Sequence, residues 1–374
     1  MSADRRTFLS ETMKRIACIG CTGNIGKQTA QIVREHPERF AFSALACAKN
    51  AALLEAMQNE FHPEVCYLES VGSEAERSRL FDGCDIALIA ASGFAGLKYT
   101  LQAIRAGKTV ALANKESLVC GGEIVTAEAK KHGVEIVPVD SEHSAIFQAL
   151  SFRRGTCFSE LVLTASGGPF FGKSREELNR VTAADALKHP TWDMGAKVTI
   201  DSATLLNKGY EVIEAKWLYG ADFSQIKAVV HPESIVHSLV YFKDGAALAQ
   251  LAYPDMRLPI QLALTYPERL PCLKPLDLAA VGALHFYPLP EENFPCFSLA
   301  LQAGRAGGIL PAALNGAAEV AVKAFLLGRI GFPAIAQIIE GVLSDTVNGK
   351  ADGFEALAEA DGRARAAAEG KIHV

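Results

Sequence analysis

The feature that most constrains the fold is a regular alternation of short apolar runs with longer amphipathic segments between residues 15 and 140. The alternation predicts a parallel sheet with helices on both faces. Sheets of this kind bind ligands beyond the carboxyl ends of their strands. The predicted strands are 15–19, 41–46, 64–68, 85–90, 109–112 and 134–139, and the predicted helices are 24–35, 51–60, 97–105 and 124–132.

Size and charge narrow the class of protein. A chain of 374 residues, 49% hydrophobic and 21% charged, fits two or three globular domains and excludes a disordered or fibrous protein. The formal charge of -5 comes from 37 basic and 42 acidic residues spread along the chain. Nucleic-acid and membrane-surface proteins need a concentrated basic field, so neither partner is expected.

The cysteines and the N-terminus indicate a cytoplasmic protein. Residues 1–12 carry charge but no apolar stretch, so we expect no secretory signal and interpret them as an extension before Met13. Nine scattered cysteines are typical of reduced thiols. Cys18 and Cys21 form a C-x-x-C pair, but a zinc site would need a second pair. A core position is therefore favoured over a redox or zinc site.

The first predicted strand ends in a glycine-rich turn containing Gly20, Gly23 and Gly26. Glycines in a turn between a strand and a helix let the backbone approach a pyrophosphate, so the turn predicts a dinucleotide site. The alternative is a turn that only packs the helix on the strand. After the second strand the acidic residue typical of NAD sites is missing and Lys49 stands close by, which favours NADP unless that lysine is simply solvated.

Polar groups follow the fifth and sixth strands, where residues 113–117 read ANKES and residues 139–143 read VDSEH. In extended geometry Asp140 and Glu142 would project to the same side. Two converging carboxylates suit Mg²⁺ or Mn²⁺. A solvated strand end is the alternative, so a third ligand is needed.

The segment 199–214 contains a candidate for the third metal ligand. Asn207, Lys208 and Glu211 share one face of a predicted helix, and Ser202 lies near the N-terminus of that helix. A hydroxyl, an amide and a lysine at that position favour phosphate, and Glu211 would complete the metal site. An ordinary amphipathic helix would explain the same pattern.

The remaining organisation follows from loops and periodicity. The segment 166–196 has glycines at both ends together with Trp192 and Met194, which is typical of a lid. The predicted domains are a Rossmann-type nucleotide domain at 1–140, a central α+β catalytic domain at 141–265, a linker at 266–295 and a helical domain at 296–374.

These motifs together resemble the 1-deoxy-D-xylulose 5-phosphate reductoisomerase family, from Lys14 to about Gly349. The family's first turn usually has Ser where this chain has Cys21 and Asn24, and it usually has Gly at the position of Ala48. The resemblance is carried by GCTGNIG at 20–26, ANKES at 113–117, VDSEH at 139–143, SGGPF at 166–170, HPTWDMG at 189–195, DSATLLNKGYE at 201–211, HPES at 231–234 and PDMR at 254–257, with Asn315 and Glu319.

The resemblance implies a homodimeric enzyme that rearranges and reduces its sugar phosphate with NADPH and Mg²⁺ or Mn²⁺. It implies metal binding by Asp140, Glu142 and Glu211. Catalytic roles fall on Lys115, Glu142, His189 and His237. Substrate would be bound by Ser141, Ser166, His189, Trp192, Ser202, Asn207, Lys208 and Glu211. NADPH would be bound by Thr22, Gly23, Asn24, Ile25, Ala48, Lys49, Asn50, Asn114, Lys115, Glu116 and Gly195.

Two other functions fit parts of the pattern. A plain NADP-dependent dehydrogenase would need no third carboxylate, because hydride transfer alone requires no divalent ion. A non-catalytic dinucleotide sensor would bind NADPH without oxidising it. The polar clusters after the fifth and sixth strands argue against the sensor.

Overall fold

The first sheet is parallel and lies in the N-terminal part of the chain. The computed structural model describes residues 13–151, 158–192 and 194–372, so the predicted extension 1–12 lies outside the described residues. Within these ranges six strands pair in the order β3-β2-β1-β4-β5-β6. They are β1 (Lys14–Ile19), β2 (Phe40–Cys47), β3 (Val65–Leu68), β4 (Ile86–Ile89), β5 (Thr109–Leu112) and β6 (Ile136–Pro138). All six predicted strands are confirmed.

Helices connect these strands and cover both faces of the sheet. They are α1 (Asn24–Glu35), α2 (Ala51–Phe61), α3 (Glu74–Ser78), α4 (Ala95–Arg105), α5 (Lys115–His132) and α6 (Ser141–Ser151). Helix α5 begins nine residues before the predicted start at residue 124. Its first two turns are buried on every side, so they show no amphipathic period, and Gly121 interrupts the helical backbone.

The second sheet is mixed. Among the described residues its order is β10-β9-β7-β8-β11, with β7 parallel to β8 and antiparallel to β9. The strands are β7 (Phe158–Ala165), β8 (Ile226–Val230), β9 (Val236–Phe242), β10 (Ala247–Leu251) and β11 (Tyr287–Pro288). The segment predicted as a linker thus contributes β11, which pairs with the edge of β8.

The middle of the chain adds α7 (Arg175–Leu178), α8 (Ala183–Ala186), α9 (Ala196–Ala203), α10 (Leu206–Tyr219), α11 (Arg257–Thr265) and α12 (Leu278–Val281). Ser202, predicted near the N-terminus of the helix that carries Glu211, lies instead in the last turn of α9, because Leu205 takes a left-handed conformation (φ 57°) between α9 and α10. Helix α11 packs back on the first sheet, where Ile260 and Leu264 share a buried cluster with Ile16.

The C-terminal part is helical, with α13 (Pro295–Ala306), α14 (Leu310–Leu326), α15 (Phe332–Asp345) and α16 (Phe354–Ile372). Helix α14 packs on α5, and one continuous hydrophobic core joins these helices to both sheets. The division at residues 140, 265 and 295 stays a prediction. In the described ranges, no helix combines the length and apolarity needed to cross a bilayer.

The two cysteines of the C-x-x-C pair are buried in this core. Cys18 and Cys21 are both fully inaccessible and unbridged. Burial raises the pKa of Cys18 to about 12 and that of Cys21 still further, with a smaller contribution to Cys21 from Cys18. Neither thiol is available as a thiolate near neutral pH, which confirms the core position.

Candidate active site

A cavity of about 400 Å³ opens at the carboxyl edge of the first sheet, between that sheet, the second sheet and α9. It brings together predicted residues that are far apart in sequence. Thr22, Ala48, Lys49 and Asn50 lie outside its lining. The predicted residues that line it are Gly23, Asn24, Ile25, Asn114, Lys115, Glu116, Asp140, Ser141, Glu142, Ser166, His189, Trp192, Gly195, Ser202, Asn207, Lys208, Glu211 and His237.

The glycine turn forms one wall of the cavity. Gly20 has φ +96°, and a Cβ there would lie 2.4 Å from the carbonyl oxygen of Ala90. Gly23 precedes α1 and has no side chain to cap it, and Gly23, Asn24 and Ile25 line the cavity, where a helix N-terminus favours an anion. The turn therefore combines close backbone approach with a helix N-terminus.

The segment predicted to select NADP lies beside this turn, at the end of β2. Ala48 and Lys49 are exposed. Asn50 caps α2 by accepting the N–H of Leu53 at 3.1 Å. The segment is thus next to the cavity but not part of its lining, and the binding of a 2′-phosphate by Lys49 stays a prediction.

Three carboxylates meet at the centre of the cavity. Oxygens of Asp140, Glu142 and Glu211 all lie within 4.8 Å of one another. Asp140 and Glu142 were predicted to converge because alternate residues of an extended strand point to the same side. That reason is wrong, because α6 begins at Ser141 and the two residues are not in a strand. Instead Asp140 Oδ1 accepts the backbone N–H of Glu142 at 3.2 Å, so the helix start brings the two side chains together.

Two buried lysines bridge these carboxylates. Lys115 pairs with Asp140 and lies 3.3 Å from Glu211 Oε1. Lys208 Nζ donates to Glu142 Oε1 at 2.8 Å and also pairs with Glu211. The structure therefore places Lys208, predicted to hold phosphate, among the carboxylates.

The charges hold one another in the ionised state. Burial opposes ionisation of Glu142, but Lys208 and Lys115 outweigh burial and lower its pKa to about 2. Burial likewise opposes the charge on each lysine, and the neighbouring carboxylates raise the pKa of both above the ordinary value. Glu142, Lys115 and Lys208 are therefore charged at neutral pH.

Two of the side chains predicted to bind phosphate, Ser166 and Ser202, lie next to His189 in the predicted lid segment. His189 Nε2 lies 3.0 Å from Ser166 Oγ and 3.3 Å from Ser202 Oγ. Its Nδ1 accepts the backbone N–H groups of Thr191 and Trp192, so the ring proton is on Nε2. His189 thus joins the predicted lid segment to both serines through hydrogen bonds.

The apolar side of the cavity is formed by Trp192 and His237, whose ring centroids are 6.0 Å apart. Burial lowers the pKa of His237, and Glu142 opposes this effect only in part. Burial also lowers the pKa of His189. Both rings are therefore neutral near neutral pH. Asn207, predicted to hold phosphate, donates its amide to Glu211 Oε1 at 2.5 Å.

Several polar residues of the site were not predicted from the sequence. His143 is fully buried, and its Nε2 lies 3.0 Å from the carbonyl oxygen of Glu211. Glu214 is also buried and groups with His143 and Asp140. The i,i+3 spacing of Glu214 from Glu211 could have indicated it. Lys197 and Asp201 also line the cavity; Lys197 stands in no interpreted motif, and Asp201 opens the motif at 201–211 but was given no role there.

The residues present fit a hard divalent cation. The donors of Asp140, Glu142 and Glu211 are all oxygens, which Mg²⁺ and Mn²⁺ prefer. The strand order of the first sheet is that of the Rossmann fold, with β1 and β4 at the point where the order reverses. The fold and the site are those of a dinucleotide-dependent oxidoreductase with a divalent-cation centre.

Comparison with known proteins identifies the family within this class. The protein-family model of 1-deoxy-D-xylulose 5-phosphate reductoisomerase matches residues 16–83 and 71–122. The family model of the C-terminal domain of that enzyme matches residues 136–219. A further DXP reductoisomerase C-terminal domain matches residues 251–367. The chain belongs to the 1-deoxy-D-xylulose 5-phosphate reductoisomerase family.

Individual relatives agree over nearly their whole length. The enzyme of this name from Geobacillus sp. (strain WCH70) is 51% identical over 352 residues, covering 88% of this chain and 92% of the relative. The one from Pelotomaculum thermopropionicum is 46% identical, covering 94% and 97%.

Solved structures agree as well. A crystal structure of DOX-P reductoisomerase with NADPH, fosmidomycin and magnesium is 38% identical, with a TM-score of 0.91 over 96% of this chain and 98% of that one. The Zymomonas mobilis enzyme with NADPH is 35% identical, with a TM-score of 0.89 over 96% and 99%.

Proposed function

We propose that this chain rearranges 1-deoxy-D-xylulose 5-phosphate and reduces the product with NADPH to 2-C-methyl-D-erythritol 4-phosphate, a step toward isoprenoid precursors. The observation that carries the proposal is the meeting of Asp140, Glu142 and Glu211 in the same cavity that the Gly23 turn lines. A metal centre and a dinucleotide turn in one cavity permit rearrangement and reduction without release of the intermediate.

The three carboxylates would hold Mg²⁺ or Mn²⁺, which supplies polarisation of the substrate carbonyl, while NADPH supplies the hydride. The carbon skeleton is proposed to rearrange in two steps, a retro-aldol cleavage and an aldol addition of the two fragments in a new arrangement. The product is an aldehyde, which NADPH then reduces. Lys115 lies beside Asp140 and Glu211, so its ammonium group would face the reacting oxygens and stabilise negative charge on them.

Ser166, Ser202 and His189 would bind the substrate phosphate through their hydroxyls and the Nε2 proton. Their mutual distances of 3.0 and 3.3 Å support this role. Lys208 would bind the phosphate with these residues only if its ammonium group moved away from Glu142 and Glu211. A divalent cation bound by these carboxylates would repel the ammonium group toward the serines. Trp192 would cover the substrate and exclude water together with His237.

The cofactor would lie along the sheet edge. Gly23, Asn24 and Ile25 line the cavity at the start of α1, where N–H groups suit a pyrophosphate. Asn114, Glu116 and Gly195 line it further along and would contact the nicotinamide half. Lys49 and Asn50, beside the turn, would bind the 2′-phosphate end.

The test is turnover by the purified protein with 1-deoxy-D-xylulose 5-phosphate, NADPH and Mg²⁺. We expect NADPH oxidation and the methylerythritol phosphate product, loss of activity with EDTA, and recovery with added Mn²⁺. Full activity after EDTA would indicate a metal-independent dehydrogenase, and NADPH binding without oxidation would indicate a sensor; either outcome would refute the proposal.

We also propose a homodimer in the cytoplasm. Tyr241 on β9 and Leu248 on the neighbouring edge strand β10 are large apolar side chains that are 37% and 44% exposed, which supports self-association through this part of the second sheet. Analytical ultracentrifugation and cell fractionation test the two parts separately.

A further inference from the structure

A chain of polar contacts lines the side of the cavity proposed for the cofactor, apart from the residues proposed to bind the metal and the phosphate. Its centre is Lys197 on α9, whose side chain is 24% exposed. Lys197 Nζ lies 2.7 Å from Asp201 Oδ2 on the same helix and 3.2 Å from Glu116 Oε1 on α5. The lysine therefore connects the end of the lid segment to the first sheet.

Glu116 also forms a hydrogen bond with Asn114. The second oxygen, Glu116 Oε2, accepts from Asn114 Nδ2 at 2.8 Å. Asn114 Nδ2 also lies 2.7 Å from the carbonyl oxygen of Ala91 and 3.0 Å from that of Gly93. Asn114 Oδ1 caps α5 by accepting the N–H of Ser117. One side chain thus fixes the loops after β4 and β5, which form the cofactor side of the cavity.

The charge on Lys197 is what holds the chain together. Burial disfavours that charge, but Asp201 and Glu116 outweigh burial and hold the pKa of Lys197 far above its usual value. Asp201 and Glu116 are only 3% and 10% exposed in their side chains, so removing the ammonium group would leave two buried carboxylates facing each other. Without the ammonium group nothing would hold Glu116 toward α9, so the side chain that accepts from Asn114 would lose its fixed position.

We propose that Lys197 is a positioning residue that fixes Glu116 and Asn114 for the cofactor, so that NADPH affinity depends on it and metal affinity does not. The inference rests on the proposed function, because it assumes that NADPH occupies this side of the cavity. The carboxylates of the metal site are held by Lys115 and Lys208, whereas Lys197 pairs with Asp201 and Glu116.

The experiment compares Lys197→Met with Lys227→Met, in which an exposed lysine paired with Glu160 on the second sheet is lost. NADPH affinity is measured by nucleotide fluorescence without substrate, and Mn²⁺ affinity by electron paramagnetic resonance. We expect Lys197→Met to raise the NADPH dissociation constant about 10- to 100-fold, as for loss of a supporting residue behind a ligand. Its Mn²⁺ affinity, and both affinities of Lys227→Met, should stay within about twofold of wild type.

The charge explanation has its own check. Lys197→Arg should retain most NADPH affinity, because it keeps the positive charge. Glu116→Gln added to Lys197→Met should restore part of the affinity, because it removes one of the two unpaired carboxylates. If Lys197→Met does not fold, Lys197→Arg and the double variant carry the comparison.

Unchanged NADPH affinity in Lys197→Met would overturn the inference, and so would an equal loss of NADPH and Mn²⁺ affinity or a double variant as weak as Lys197→Met. Wild-type protein that binds no NADPH would instead refute the proposed function. The two failures are therefore distinguishable.

Discussion

At the scale of single residues, the centre of the site carries more buried acid than base. Burial raises the pKa of Glu214, so this carboxyl tends toward its neutral form, whereas Glu142 is held ionised. The three carboxylates of the metal site face two lysines, so a divalent cation bound among them would turn a net negative group into a net positive one unless a lysine moved away. A gain of positive charge suits a phosphorylated substrate. The groups involved are Asp140, Glu142, Glu211, Lys115 and Lys208.

Glu211→Gln tests the metal assignment. The side chain is fully buried and accepts from Asn207 and Lys208, so an amide fits the space but loses a charged oxygen ligand. We expect Mn²⁺ affinity to fall at least about 100-fold, beyond the range for outer residues of metal sites. Titration followed by electron paramagnetic resonance measures it.

Glu160→Gln is the matched control, because Glu160 pairs with Lys227 on the far part of the second sheet and lies outside the cavity. Its Mn²⁺ affinity should equal that of the wild type. Equal Mn²⁺ affinity in Glu211→Gln would remove Glu211 from the metal site.

His189 predicts a pH dependence of stability. Burial lowers its pKa below the ordinary value of 6.5. As the pH falls through 6.5, the unfolded chain takes up the proton first, so the free energy of unfolding decreases until the lower folded pKa is passed. Protonation of Nδ1 would also remove the acceptor for Thr191 and Trp192.

We therefore expect His189→Gln to unfold with a shallower dependence on pH between about 7 and 5 than the wild type. Urea unfolding across this range measures the slope. Parallel curves for the two proteins would show that His189 does not titrate in this way.

Sequence reasoning found those residues of the site that stand in dense polar motifs, such as Asp140 and Glu142. It missed Glu214 and Lys197, because each is a single charged residue on a helix and has the same appearance as a solvated one. Only the packing of α10 against α5, and of α9 against α10 and α14, shows that these charges are removed from solvent. Burial of a charge depends on tertiary contacts that no local pattern contains.

At the scale of elements, the turn between β1 and α1 depends on close backbone approach. Gly20→Ala would place a Cβ 2.4 Å from the carbonyl oxygen of Ala90 at φ +96°. We expect a loss of more than about 3 kcal/mol in the free energy of unfolding, because backbone strain and a clash add together. Denaturant unfolding of the purified variant measures this loss.

Gly107→Ala separates strain from the clash. Gly107 also has positive φ (+70°), but a Cβ there would meet no atom within 4 Å. Its cost should be only about 1–2 kcal/mol, from the left-handed backbone. Equal losses in the two variants would show that contact with Ala90 is unimportant.

Element types were predictable where periodicity is strong, as in the six strands of the first sheet. The boundary between α9 and α10 was not, because the left-handed Leu205 is a bulky residue in an apolar run that gives no sign of a turn. Strand β11 was not predicted either, since two residues beside the edge of β8 are too short for any period. In each case a tertiary contact overrides the local pattern.

At the scale of the whole molecule, the C-terminal helices reach the side of the cavity that is proposed to bind the cofactor. Glu319 on α14 lies so close to Gly93 that a Cβ there would be 2.6 Å from Glu319 Oε1. Arg365 on α16 pairs with Glu319 at 2.9 Å and with Asp361 at 2.5 Å. Asn315 joins the two carboxylates through its amide. The loop after β4 is therefore supported by two helices that are distant from it in sequence.

Arg365→Met should weaken this support. Asp361 is buried and Glu319 is partly buried, so both would lose their positive partner. Since Arg365 itself is one-third exposed, we expect a solvent-discounted loss of about 1–3 kcal/mol in the free energy of unfolding. NADPH affinity should also fall severalfold, because Glu319 would no longer be fixed against Gly93.

Arg363→Met on the same helix is the comparison, since Arg363 pairs with Glu359 where both side chains are two-thirds exposed. It should change stability by less than about 0.5 kcal/mol and leave NADPH binding unaltered. Calorimetry and nucleotide fluorescence measure the two quantities on both variants. A loss of stability in Arg365→Met with unchanged NADPH affinity would mean that the C-terminal helices stabilise the molecule without supporting the cofactor site. A loss of both, absent from Arg363→Met, would make α14 and α16 part of the enzyme's cofactor machinery.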